Sequence, residues 1–411
     1  MSGFSTRSGR AGFESARRIS AAVTALVIAT VVTACPARAE TLFEDVTRGH
    51  LPRRAVRPFT MDAEAADLDG DGDLDLILAM EFDPNVLLLG RGDGRFEAAR
   101  PGRLPRETRD SEDIALADFD GDGDVDVVIV SEDDEVNEYY RNRGDATFVR
   151  DREGLPVTDI TNAVAAADLT GDGAIDLILG NNGQNRFLEN DGSGGFHDAT
   201  AERLPVIDDT TQDVELADID GDGDLDLLIG NEDRNRLLVN DGTGRFSDVT
   251  SLAVPFTGRA EETREADFGD VDGDGDPDIL FANVRAFVSD ADPQNRLLLN
   301  DGRGVFTDVT LERLPESMER SFDADFVDID GDGDLDIVTA NSEPGGRPPV
   351  PVSVYRNDGT GRFAVVTREV LPESAKGSGF DVEAADFDGD GRIDLYLAMR
   401  GGGPDRLLLG R

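Results

Sequence analysis

The sequence predicts an all-β fold, a seven-bladed β-propeller of four-stranded antiparallel blades whose ring is closed by the N-terminal strand completing the last blade. Three observations predict it. An acidic nine-residue run of the form DIDGDGDLD (218–226) begins at Asp67, Asp118, Asp168, Asp218, Asp270, Asp328 and Asp386, at intervals of 51, 50, 50, 52, 58 and 58 residues. Each interval carries four short strand signals, and a period of about fifty residues with four strands describes propeller blades. The two ends of the chain carry complementary parts of one such interval.

From the N-terminus, residues 1–39 are expected to be an export signal. Arg7, Arg10, Arg17 and Arg18 precede the apolar stretch ISAAVTALVIATVVTA (19–34), which small residues follow. Ala37-Arg38-Ala39 fits cleavage after Ala39, whereas Val32-Thr33-Ala34-Cys35 resembles a lipobox, in which cleavage before Cys35 would leave a lipid anchor on that cysteine. The apolar run is short for a membrane span. Cys35 is the only cysteine, so the mature chain is expected to hold no disulfide. The 87 acidic and 40 basic residues give a net charge of −47. Residues 1–39 contain five Arg and one Glu, so the remaining chain is more acidic still. Such a balance argues against nucleic acid or anionic lipid as partners and favours cations.

The propeller is assigned to 41–411. Its fourth repeat shows the whole unit: DVELADID, GDGD, LDLLIGN, a turn, NRLLVN, DGTG and RFSDVT. These segments are short, rich in Leu, Ile, Val and Phe, and punctuated by Gly, Asn and Asp. LDLLIG and RLLV are nearly continuous apolar runs, as expected for strands covered on both faces. No apolar stripe at helical spacing runs for ten residues without a glycine. The last repeat ends at DRLLLGR, after its third strand, while TLFEDVT (41–47) matches the fourth strands RFSDVT (245–250) and VFTDVT (305–310). The phenylalanines of that strand, Phe43, Phe96, Phe148, Phe196, Phe246, Phe306 and Phe363, equal the acidic runs in number. A closed ring accounts for this balance, because pairing the first strand into the last blade removes free edges.

In D-x-D-G-D-G-x-x-D, carboxylates at positions 1, 3 and 5 converge from one tight turn and position 9 returns from the next strand. Glycines at 4 and 6 permit the turn. Oxygen ligands without His or Cys suit a hard cation, and a flexible, high coordination number favours Ca²⁺ over Mg²⁺. The candidate ligands are Asp67, Asp69, Asp71 and Asp75; Asp118, Asp120, Asp122 and Asp126; Asp168, Asp172 and Asp176; Asp218, Asp220, Asp222 and Asp226; Asp270, Asp272, Asp274 and Asp278; Asp328, Asp330, Asp332 and Asp336; and Asp386, Asp388, Asp390 and Asp394. An EF-hand is excluded, because position 12 is Leu78, Ile129, Leu179 or Ile229 where a bidentate Glu is needed. One copy alone would read as a polar turn between strands; seven copies at fixed ligand spacing read as metal loops.

These residues resemble the FG-GAP family, the calcium-binding repeats of the integrin α-subunit propeller, and most closely the bacterial FG-GAP-like or VCBS repeats, over about 41–411. The resemblance implies up to seven Ca²⁺ ions, held by side chains at positions 1, 3, 5 and 9 with a backbone carbonyl at position 7, such as that of Asp73. The third loop departs, with Thr170 at position 3 and Ala174 at position 7, and is expected to be the weakest site. Arg392 and Pro277, at positions 7 and 8 of their loops, are expected to matter less.

For function, the calcium loops and DGTG turns are expected on one face and the loops between second and third strands on the other. Two long ones, 283–293 and 341–351, fall on that second face in neighbouring blades, with Arg285, Phe287 and Arg347 as candidate anchors for a protein or carbohydrate ligand. Arg91-Gly92-Asp93 and Arg143-Gly144-Asp145 occupy the slot that NDG holds elsewhere and read as hairpin turns. Catalysis has little to work with: there are two histidines, His50 and His197, no phosphate cradle, and one lysine, Lys376. The expectation is a monomeric, non-catalytic binding, adhesion or scaffold protein of the cell surface or periplasm. A calcium-dependent lectin or polysaccharide lyase is the competing class.

Overall fold

The second strand of each repeat is apolar on both of its faces, so no repeat can bury it alone, and the fold follows from how neighbours cover one another. A computed structural model describes residues 41–53, 59–132, 136–342, 352–375, 379–400 and 403–411. The expected export segment with Cys35, the loop residues 343–351 with Arg347, and Lys376 lie outside the described residues. Residues 40–411 form one compact unit, all-β and built of antiparallel sheets.

The fourth repeat again shows the pattern. Its inner strand Asp209–Ala217 pairs with Asp226–Asn231, which pairs with Arg236–Asn240, which pairs with the short outer strand Phe246–Asp248. All residues of Asp226–Asn231 are buried, as are those of its counterparts Asp278–Asn283, Asp336–Asn341 and Asp394–Met399. The first and second repeats are joined into an eight-stranded sheet by pairing of Glu81 with Asp110, and the third and fourth by Asn182 with Thr210. The last sheet has the order predicted from the chain ends: Gly379–Ala385, Asp394–Met399, Arg406–Gly410, then Phe43–Asp45, with Phe43 opposite Gly410 and Asp45 opposite Leu408. The Leu407 N–H donates to Thr47 Oγ1 at 2.9 Å, and the Arg411 N–H to the Leu42 carbonyl at 2.9 Å.

Among the described residues, successive repeats share seven apolar cores, each built the same way. The residue at position 2 of one acidic loop packs with the outer-strand phenylalanine of the next repeat: Leu68 with Phe148, Phe119 with Phe196, Leu169 with Phe246, Ile219 with Phe306 and Val271 with Phe363. The pattern continues with Ile329 and Phe43, and with Phe387 and Phe96, which joins the seventh repeat to the first. The inner strands keep the same sequence of neighbours, Gly379–Ala385 lying against Thr60–Ala66. Burying each such phenylalanine stabilises the fold by about 1.5–3 kcal/mol.

Polar side chains lace the same boundaries. The Asn that opens each NDG turn donates through Nδ2 to two carbonyls, one in its own acidic loop and one at position 2 of the preceding loop. Asn240 bonds Leu225 O at 3.2 Å and Leu169 O at 3.1 Å; Asn142, Asn190, Asn300 and Asn357 do the same with their own pairs. Gly90 and Gly410 stand at this place in the first and seventh repeats, where a Cβ would lie 2.1 Å from Leu74 O and 2.6 Å from Ile393 O. On the opposite face Asn235 Nδ2 donates to Thr263 Oγ1 at 2.9 Å and Thr60 Oγ1 donates to Asp405 Oδ2 at 2.9 Å, the latter again joining last repeat to first.

Asn240→Ala leaves two carbonyls at a repeat boundary without their donor and is expected to cost about 1–3 kcal/mol. Phe246→Ala empties a shared core and is expected to cost about 3–5 kcal/mol. Denaturant unfolding monitored by circular dichroism checks both; a midpoint unchanged in Asn240→Ala would remove the clamp from the account.

Candidate metal centres

Each acidic run is a turn tied together by its own first carboxylate. In the fourth loop Asp218 Oδ1 accepts the N–H groups of Gly221 (2.8 Å) and Asp222 (3.1 Å), and Oδ2 accepts that of Gly223 (3.0 Å). Gly221 and Gly223 hold φ values of 76° and 96°, which L side chains rarely adopt. The position-5 carboxylate, Asp222, accepts the N–H of Asp224 at 3.0 Å. Asp226, at the start of the buried second strand, accepts the Ile219 N–H through Oδ2 and the Asn240 N–H through Oδ1, tying loop, strand and NDG turn together. The pattern recurs with matching distances around Asp67 with Asp71 and Asp75, Asp168 with Asp172 and Asp176, and Asp270 with Asp274 and Asp278, and around Asp118 with Asp122 and Asp126 except that Asp126 Oδ2 accepts the Tyr139 hydroxyl at 3.0 Å. It holds for Asp328 with Asp332, and there Asp336 keeps the bond from Asn357 but leaves Oδ2 without a partner.

Position 3 behaves differently, and it is the informative one. The Oδ1 atoms of Asp69, Asp120, Asp220, Asp272 and Asp330 are buried and have no hydrogen-bond partner, and the Thr170 hydroxyl in the third loop is in the same state. A buried polar atom without a partner costs about 1–3 kcal/mol, yet the fold repeats it six times. Ligand oxygens also converge: those of Asp67, Asp69 and Asp71, of Asp118, Asp120 and Asp122, and of Asp218, Asp220 and Asp226 lie within 4.8 Å of one another. Burial, then the neighbouring position-5 carboxylate, pushes Asp69, Asp220 and Asp272 above the ordinary range. Burial raises the position-9 carboxyls to about 7 in Asp75, Asp226 and Asp278 and about 6 in Asp126, Asp176, Asp336 and Asp394. Convergent carboxylates with unused lone pairs at oxygen spacing fit a hard dication.

The loops are not equivalent. Arg141 donates to Asp120 at 2.7 Å and Arg356 forms an ion pair with Asp330 at 2.8 Å, so positive charge already reaches the second and sixth. In the seventh, the Asp390 N–H bonds both Asp386 Oδ1 and Asp388 Oδ1, and the Arg392 guanidinium bonds Asp390. The Arg392 side chain at position 7 thus folds back onto the position-5 carboxylate of its own loop.

Outside the loops, Phe287 is 73% exposed and Arg285 is exposed, as the long-loop reading expects. That loop is anchored by buried Glu262, which accepts the N–H groups of Ala286, Phe287 and Val288. Both RGD triplets lie in turns between third and fourth strands. His50 Nδ1 lies 2.8 Å from Gly94 O, and His197 is an exposed outer-strand residue.

One feature was not read from the sequence. Five residues before each loop stand Asp62, Asp113, Asp213, Glu265, Asp323 and Asp381, and three before stand Glu64, Glu215, Asp267, Asp325 and Glu383; the third repeat has Ala163 and Ala165 there. These carboxylates, with Glu112, line one cavity of about 450 Å³ bounded by the inner strands. Some also join neighbouring strands: Asp113, Asp213 and Asp267 accept the N–H groups of Val164 (2.6 Å), Ala266 (2.9 Å) and Phe326 (2.6 Å). Burial raises their pKa values, to about 7 for Asp113 and Glu383 and about 8 for Asp323. The signal was present as Asp or Glu at alternate inner-strand positions, in segments such as DVELA that were read for strand pattern alone.

Residues 67–129, 118–179, 168–229, 218–281, 286–339 and 328–397 each match the FG-GAP-like repeat. Among curated proteins none matches. Solved structures similar to this chain include BBS1N in complex with ARL6DN (12% identity, TM-score 0.55, covering 90% of this chain and 98% of that one). Another is the extracellular domain of the putative hybrid two component system BT4673 from B. thetaiotaomicron (12% identity, TM-score 0.54, covering 90% of this chain and 40% of that one). An Agrocybe aegerita lectin that recognises non-reducing terminal N-acetylglucosamine aligns at 20% identity over 76% of this chain and 80% of its own, with a TM-score of 0.47. The first two of these structures share a β-propeller-like fold with this chain, and the six repeat matches, which together span residues 67–397, show that it belongs to the FG-GAP-like repeat family.

Proposed function

We propose that residues 41–411 are a closed seven-bladed propeller, that its aspartate loops bind Ca²⁺, and that the protein is exported and acts as a non-catalytic binding or scaffold protein of the cell surface or periplasm. The observation that carries the metal reading is the buried, unpartnered oxygen at position 3, repeated in six loops. A dication there would meet that oxygen and the spare lone pairs of positions 1, 5 and 9, so the loops would supply Asp67, Asp69, Asp71 and Asp75 and their counterparts. Ring closure is supported by the seventh-to-first core of Phe387 and Phe96 and by the pairing of Phe43–Asp45 with Arg406–Gly410. Export is supported by the sequence of residues 1–39; among the described residues no helix is long and apolar enough to cross a membrane. The partner would meet the face carrying Arg285 and Phe287, where an exposed aromatic sits on a loop fixed by Glu262 and stacks under Arg264 at 4.9 Å.

If each site has the 10⁻⁴–10⁻³ M affinity of extracellular modules, calcium tenfold above Kd contributes about 1.4 kcal/mol per site. Excess EDTA is therefore expected to lower the melting temperature by roughly 10–15 °C; a scanning-calorimetry trace unmoved by EDTA and calcium would reject the loops as structural metal sites. Thr170→Asp restores the missing carboxylate and is expected to tighten the third loop about tenfold, read as an added high-affinity ion in equilibrium dialysis. For the partner, a glycan array and an envelope pull-down in calcium are expected to return a ligand whose capture is lost in the Arg285→Ala/Phe287→Ala double variant. Capture unaffected by that variant would move the surface elsewhere, and release of unsaturated uronic-acid products from a polysaccharide would replace the non-catalytic reading with a lyase.

A further inference from the structure

The inner-strand cavity holds a concentration of negative charge that the loop sites do not explain. Its acidic lining includes residues of six of the seven repeats, and among the described residues Arg264 is the one basic side chain that lines it. Arg264 is already engaged, bonding Gln212, Glu232 and Glu262 and stacking between Phe287 and Phe322. The cavity therefore lacks an internal cation for its carboxylates, and isolated buried carboxylates cost several kcal/mol each.

Within this lining one group is arranged as ligands. Oxygens of Asp213, Glu215 and Glu265, from the adjacent inner strands Asp209–Ala217 and Thr263–Gly269, lie within 4.8 Å of one another. Oxygens about 2.3–2.6 Å from a common centre cannot be farther apart than about 5 Å, so this spacing suits a single ion. A second observation is independent of that cluster. Asp323, on the next inner strand and only 5% exposed, lines the same cavity, and its Oδ2 has no hydrogen-bond partner; Asp62 Oδ2 and Asp381 Oδ2, also on the cavity lining, are in the same condition. The Asp213 carboxylate is fixed by the Ala266 N–H at 2.9 Å, so the ligand set is held in place by the sheet boundary itself.

We infer that the central cavity binds a divalent metal ion on Asp213, Glu215 and Glu265, separate from the aspartate loops, with Asp323 a further carboxylate of the same lining whose free oxygen is available to its shell. The ligands are all oxygens, which selects a hard cation such as Ca²⁺ or Mn²⁺. Convergence on one point distinguishes a single ion from an extended organic polycation, which would need its partners spread along the cavity.

The inference does not depend on calcium in the loops, and its test separates the two. Crystals of the mature chain grown with saturating Mn²⁺ are expected to give an anomalous peak between Asp213, Glu215 and Glu265. Equilibrium dialysis with Mn²⁺ is expected to show Glu265→Gln binding one ion fewer per chain than the wild type, while Asp218→Asn alters a loop and leaves the cavity peak. Occupied loops with water alone in the cavity, or an unchanged ion count in Glu265→Gln, would overturn it. Empty loops with an occupied cavity would support it and remove the loop reading instead. Should Glu265→Gln fail to fold, the wild-type map decides.

Discussion

The interaction on which the structure depends is the insertion of one apolar residue, at position 2 of each acidic loop, into a core that belongs half to the next repeat. A four-stranded sheet of this size has no interior of its own, and its second strand is apolar on both sides. Leu169 satisfies this need by meeting Phe246 across the boundary, and the same contact recurs at every junction. Because the anchor lies inside the loop, packing and ligand geometry are set together. Position 2 is pulled into the core, position 9 begins the buried strand, and the carboxylates between them have little freedom left. The acidic turn is thus held by hydrophobic burial before any ion is considered.

That coupling explains how much of the molecule was legible. Period, strand count and the division of one sheet between the chain ends were all visible, because apolar runs such as LDLLIG and the phenylalanine of RFSDVT are set by burial and little else. The loop carboxylates were equally visible, since their spacing is local. What escaped was the cavity. Asp213 and Glu215 sit on one inner strand, and nothing local distinguishes an acidic residue that faces solvent from one that faces six neighbouring strands. Their convergence is created by the arrangement of repeats and has no counterpart at the level of a single segment. Arg392 escaped for a related reason, because its return to Asp390 depends on side-chain reach rather than on sequence position.

Two populations of carboxylate therefore coexist, and the fold treats them differently. In the first six loops, position 1 accepts three backbone N–H groups that hold the turn in shape. Along the inner strands, donors are fewer and the same residue type is lifted toward neutrality by its surroundings. The asparagine clamps complete this division, spending their donors on carbonyls at the boundary and none on the cavity. Where Gly90 and Gly410 replace asparagine, the backbone approaches too closely for any side chain, so the first and seventh repeats rely on packing and strand pairing instead.

The pairing of Phe43–Asp45 with Arg406–Gly410 has a consequence for biogenesis. The strand Phe43–Asp45 is made long before its partner Arg406–Gly410, with Thr47 and Leu407 separated by 360 positions. Throughout elongation Phe43 has no groove to fill, and the growing array presents an open edge at its trailing end. Loop closure over such a span adds only a modest entropic penalty but imposes an order on events. The final docking step must await translation of Arg406–Gly410, which leaves a long interval in which a nascent strand is available for mispairing or for a chaperone.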